Sequence, residues 1–127
     1  YLKVYKLETG TLEKTILEKP TSNLLVHGGS IIFANSLGDV VKMDAKSEIS
    51  LVYRRLSKNL LYQIYPWKQT FVVNDHKGEV YWISQLNQEL AQQFHLGHLY
   101  STIFGALATD DSSLALISSR NRLYLFQ

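Results

Sequence analysis

A turn followed by a short apolar strand recurs along this chain, and few folds can accommodate that recurrence. Val40-Val41-Lys42-Met43-Asp44 aligns with Val80-Tyr81-Trp82-Ile83-Ser84 and with Leu123-Tyr124-Leu125-Phe126-Gln127, and Leu2-Lys3-Val4-Tyr5-Lys6 fits as an incomplete copy at the front. Leu2, Val40, Val80 and Leu123 lie 38, 40 and 43 residues apart. The stretch from Ser36 to Asp44 is the clearest copy, with Gly38 placed for the turn and Val40 for a core. One small sheet is marginal alone. Stacked against like sheets, its middle strands lose water on both faces, which requires apolar residues at every position rather than at alternate ones.

The rest of the chain fits this scheme. Leu2 to Leu7 and Leu12 to Leu17 read as strands on either side of a Glu8-Thr9-Gly10 turn. Leu24 to His27, Ser30 to Asn35, Asp39 to Met43 and Ile49 to Arg54 make one four-strand cycle, after a loop that holds Pro20. Leu60 to Tyr65, Thr70 to Val73 and Glu79 to Ile83 begin the next, with Pro66-Trp67-Lys68 and Asn74 to Gly78 as turns. The Gln-rich stretch 85–94 could form a helix, since Leu86, Leu90 and Phe94 lie four apart, but the repeat favours a turn and an outer strand there. Tyr100 to Ala106, Leu114 to Ser118 and Arg122 to Phe126 form a third, shorter cycle. The expected class is all-β.

A period of about 40 to 45 residues with four strands per unit is the signature of a propeller blade. The expectation is a segment of a β-propeller with about three four-stranded antiparallel blades. Its expected divisions are an incomplete blade over 1–17, blades over 22–54 and 59–94, and an incomplete blade over 99–127. Propellers close with about four to eight blades, so the remaining blades should come from the same or another chain. Tyr1 rather than Met opens the sequence and a strand pattern starts at once, so an internal piece of a longer protein is expected.

Particular residues then resemble a known family. Leu2 to Leu12 looks like the end of a WD repeat, with Tyr5-Lys6 where the Trp-Asp dipeptide would stand, and Gly97-His98 looks like the Gly-His opening of another. The Trp position holds Tyr5, Met43, Ile83 and Phe126, and only Asp44 matches the closing acid. The turn aspartate of such repeats would fall on Leu37, Lys77 and Arg120, so its polar network with the Gly-His histidine is expected to be missing. Val41 to Glu48 is also similar to the blade ends of quinoprotein-like propellers. Both resemblances imply the same architecture.

Composition narrows the chemistry. Hydrophobic residues make up 46% and charged residues 19%, which fits neither a disordered chain nor a membrane-embedded one. With no cysteine, disulfides and thiolate metal sites are excluded. A net charge of +2 does not argue for nucleic acid by itself. Without a secretory signal, the expected setting is intracellular, in cytoplasm or nucleus, and no membrane association is expected.

The reactive-looking residues read as turn chemistry. His95 and His98 lie three apart but lack the third ligand a zinc site needs. His76 beside Asp75, and Asp110 beside Asp111, sit in turns where such residues serve the backbone. No phosphate loop, nucleophile elbow or metalloprotease motif is present, so no catalytic residue, metal or cofactor is expected. The candidate binding residues are cations. Arg54, Arg55 and Lys58 fall between one outer strand and the next inner strand, while Lys77, Arg120 and Arg122 fall in hairpin turns on the same face. His76 joins them there. Trp67, on the opposite rim, is either a packing residue or an exposed anchor. The expected function is a non-catalytic protein-interaction scaffold within a multi-subunit complex. An RNA-binding accessory role through the basic face is the alternative, and a quinoprotein-like enzyme a further one.

Overall fold

The structure, a computed structural model, describes residues 1–96, 103–110, 113–118 and 122–127. These residues contain strands and no helix. β1 (Leu2–Tyr5) and β2 (Leu12–Ile16) pair as a two-stranded sheet. β3 (Leu25–His27), β4 (Ser30–Ala34), β5 (Val40–Met43) and β6 (Ile49–Tyr53) form a four-stranded sheet in sequence order. β7 (Leu61–Trp67), β8 (Thr70–Asp75), β9 (Glu79–Ser84) and β10 (Leu90–His95) form a second. β11 (Ile103–Asp110), β12 (Ser113–Ser118) and β13 (Leu123–Phe126) form a three-stranded sheet. Every pairing is antiparallel.

The sheets stack face to face, and alternation along the middle strands feeds two cores at once. In β8, Phe71 and Val73 join Ile32, Ala34 and Val40 in the core between the two four-stranded sheets. Val72, between them, points the other way, to Leu114 and Leu116 of the three-stranded sheet. In β9 the same division sends Tyr81 and Ile83 one way and Val80 and Trp82 the other. Phe33, Val41 and Met43 pack against Leu2 and Ile16 of the first sheet. Continuous apolar runs are therefore required in these strands, as the repeat anticipates. The outer strands β2 and β10 are almost wholly exposed.

Three local details carry physical content. Residues 85–89 form a turn, with Ser84 N–H donating to Glu89 O at 2.8 Å, and β10 follows it. Strand pairing to β9 thus prevails over helix propensity. The expected Pro66-Trp67-Lys68 turn is corrected: β7 runs through both Pro66 and Trp67, and the chain reverses at Lys68 and Gln69. Pro66 is tolerated because β7 is the edge strand of its sheet and a proline nitrogen can face away from the ladder. Finally, Asn23 locks neighbouring sheets together. Its amide donates to Ile64 O and accepts from Ile64 N–H, both at 2.9 Å, and so satisfies the free inner edge of β7. Asn23→Ala should cost about 2 kcal/mol by stranding two backbone groups, read as a lower urea midpoint, whereas a change at exposed Gln92 in β10 should leave the midpoint in place.

Tyr65 supplies a pH signature. Its hydroxyl is buried without a hydrogen-bond partner among the described residues, and burial pushes its pKa upward. The unfolded state ionises near the ordinary tyrosine value of about 10 while the folded state resists ionisation. Stability is therefore full below about pH 10 and falls as pH rises beyond it. Tyr65→Phe should flatten that alkaline loss in thermal melts. Near neutral pH it should be neutral or slightly stabilising, because it removes an unsatisfied polar group.

Candidate functional site

The site begins with the hairpins that join the second and third strands of each four-stranded sheet. In residues 35–39, Asn35 Oδ1 accepts from the N–H groups of Leu37 (3.0 Å) and Asp39 (3.1 Å). In residues 75–79, Asp75 Oδ1 accepts from Lys77 (2.9 Å) and Glu79 (3.0 Å). Both side chains are buried. A short side-chain acceptor at the end of the strand thus organises each turn.

The expected absence of an aspartate–histidine network concerned the tip positions Leu37, Lys77 and Arg120. The contacts that hold these two hairpins are different ones, made by the residue at the end of the preceding strand. Asp75 Oδ2 accepts from Ser57 Oγ and Asn59 Nδ2, both at 3.1 Å, and Asn35 Nδ2 donates to Glu18 Oε2 at 3.2 Å. Each hairpin is therefore bonded to the connection that enters its own sheet. Arg120, the third tip position, lies outside the described residues, as does His98.

The 54–60 connection is fastened at both ends. Leu56 N–H donates to Gly38 O at 2.8 Å, and Arg55 N–H donates to Asp39 Oδ1 at 2.7 Å. At the far end His76 N–H donates to Leu60 O at 3.0 Å, with His76 Nδ1 3.3 Å from the same oxygen. Arg54, Arg55, Lys58, His76 and Lys77 are thereby brought to one end of the stacked sheets. All four of these cations are exposed, and the described residues contain one ion pair, His95 Nδ1 to Glu79 Oε1 at 2.7 Å, which uses none of them. Lys19 shares this end through Ser36 N–H, which donates to Lys19 O at 3.0 Å. Arg122 is exposed where the chain enters β13. Four acids share this end, Glu18, Asp39, Asp75 and Glu79, all buried or half-buried. At the opposite end Lys6, Lys46 and Lys68 are interspersed with Glu8, Asp44, Glu48 and Glu89 in the turns.

Trp67 stands at that opposite end, half-buried, and packs with Trp82, Leu114 and Leu116. Lys68 Nζ lies 4.6 Å from its ring centroid. The geometry makes it a packing residue between sheets. Two carboxylates that could serve acid–base work hold turns instead. Asp44 Oδ1 accepts from Lys46 and Glu48 N–H, both at 2.9 Å, and Asp75 holds its turn. No cluster that could hold a metal occurs among the described residues.

Asp75 serves the backbone of its turn, as the sequence suggests. Sequence reasoning missed Asn35, Ser57, Asn59 and Asn23, though a signal was present for the first: Asn35-Ser36-Leu37-Gly38-Asp39 shares with Asp75-His76-Lys77-Gly78-Glu79 an Asn/Asp-x-x-Gly-acid pattern.

Comparison with solved structures decides the architecture. Hsv2 from Kluyveromyces lactis matches 98% of this chain with a TM-score of 0.75 at 14% identity, over 42% of its own length. BamB from Moraxella catarrhalis matches 84% with a TM-score of 0.65 at 14% identity, over 33% of its length. Virginiamycin B lyase from Staphylococcus aureus matches 87% with a TM-score of 0.62 at 7% identity, over 41% of its length. The fold is a partial β-propeller. Its four-stranded antiparallel sheets are those of a propeller, and the chain spans less than half the length of each of these neighbours. At these identities the likeness concerns fold alone, and one neighbour is an enzyme. No family model and no curated protein matches the sequence.

Proposed function

We propose that this propeller segment belongs to a non-catalytic scaffold that binds other protein subunits through the end carrying Arg54, Arg55, Lys58 and Lys77. The observation that carries this reading is the pairing of rigidity with exposed cations that form no ion pair among the described residues. The acids at this end, Glu18, Asp39, Asp75 and Glu79, are buried or half-buried. The backbone bearing the four cations is fastened by Gly38, Asp39, Leu60 and Asp75, while the cations themselves face solvent. Pre-organised charge favours fast, selective association with an oppositely charged surface. Asp44 and Asp75, two acids that might have supported chemistry, hold turns instead. An intracellular setting, and completion of the ring by further blades of the same or another chain, belong to the same proposal.

Affinity purification of the tagged full-length protein, with and without nuclease, tests the reading. Protein partners should persist after nuclease treatment. Recovery of RNA alone, with every protein lost on digestion, would replace the scaffold with the RNA-binding alternative.

A further inference from the structure

We infer that the cleft between the 35–39 hairpin and the 54–60 connection binds a short acidic peptide segment that carries an apolar side chain. This inference rests on the scaffold reading and names the chemistry of its partner. The cleft has a volume of about 300 Å³ and is lined by Asn35, Ser36, Leu37, Ser57, Lys58 and Leu60, among others.

Its composition is mixed in an informative way. Asn35 and Ser57 supply polar walls that are bonded on their inner side to the half-buried Glu18 and the buried Asp75, while Lys58 supplies an exposed charge and the exposed Arg54 and Arg55 stand in the same connection. Two leucines flank it: Leu37 is 72% exposed at the hairpin tip and Leu60 is 50% exposed at the end of the connection. A leucine at a turn tip adds little to the fold, and a partner's apolar side chain would cover it. The cations match carboxylates, and their long stems can also lie along apolar surface.

The walls are held in place before any partner arrives. Gly38 O is bonded to Leu56 N–H, and Ser57 and Asn59 are bonded to Asp75, so little ordering entropy opposes binding. No aromatic ring lines the cleft. Single-stranded nucleic acid is held by stacking bases on such rings, so the lining favours a peptide over RNA.

The test uses the full-length protein and a fluorescent peptide of alternating Asp and Glu around a central Leu, followed by anisotropy at rising salt. Binding should weaken as salt screens the cations. Lys58→Glu should weaken it by about tenfold or more, and Leu37→Ser combined with Leu60→Ser by roughly fivefold. Lys68→Glu, at the other end, should leave it unchanged. Unaltered affinity in both cleft variants would overturn the assignment, as would an oligouridine RNA that binds more tightly and displaces the peptide. The two readings fail separately. If protein partners still co-purify with the Lys58→Glu protein, the scaffold stands and the cleft falls; if none co-purify with the unaltered protein, the scaffold itself falls.

Discussion

Asp75→Ala should cost the protein about 3 to 4 kcal/mol of stability, the largest loss expected from any single side chain here. The buried carboxylate accepts from two backbone N–H groups, a serine hydroxyl and an asparagine amide. Alanine removes the shared acceptor of all four donors at once. A typical domain is stable by about 5 to 15 kcal/mol, so this loss consumes much of the margin. Asp75→Asn should cost less, about 1 to 2 kcal/mol, because Asn35 already performs the turn-holding role in the preceding blade. Denaturant unfolding of the full-length protein separates the two variants. Equal losses from both would mean that charge, rather than the hydrogen-bonding fork, holds the hairpin.

Gly38→Ala should be the second severe change, at about 3 kcal/mol. Two causes add. The backbone at Gly38 has φ of +81°, a conformation that costs an L-residue about 1 kcal/mol. An added Cβ would also press into the backbone carbonyl oxygen of Ser57. Backbone cannot step aside as a flexible side chain can, so the 54–60 connection must move. Gly28→Ala is the control: φ is +58° and nothing lies within 4 Å of the new carbon, which leaves only the conformational cost of about 1 kcal/mol. The two variants should differ by about 2 kcal/mol in unfolding free energy. Gly38→Ala should also weaken peptide binding at the cleft, because it displaces Lys58, whereas Gly28→Ala, at the other end of the blade, should not.

The blade pattern was legible because its cause is local and repeated. A middle strand buried on two faces must be apolar throughout, and Val40 and Val80 mark that requirement in the two four-stranded sheets, whereas Leu123, in the edge strand β13, is exposed. The common placement of Arg54, Arg55, Lys58 and Lys77 was legible as well, since antiparallel order sends those loops to one end. The turn role of Asp75 was legible too. Its bonds to Ser57 and Asn59, and the same role at Asn35, were harder, because the organising acceptor stands at the strand end before the tip and not within the apolar strand that carries the repeat. Asn23 left no trace in the sequence. Its partner is the backbone of Ile64, 41 residues away, and backbone groups look alike at every position. Pro66 misled for a related reason: a proline ends a central strand but not an edge, and which strand is the edge is a property of the whole sheet.

Cross-linking mass spectrometry on the native complex of the full-length protein tests the central claim most directly, because lysines mark both ends of the stacked blades. Partner cross-links should concentrate on Lys19, Lys58 and Lys77. Partner cross-links confined to Lys6, Lys46 and Lys68 would place the working surface at the opposite end and contradict the account.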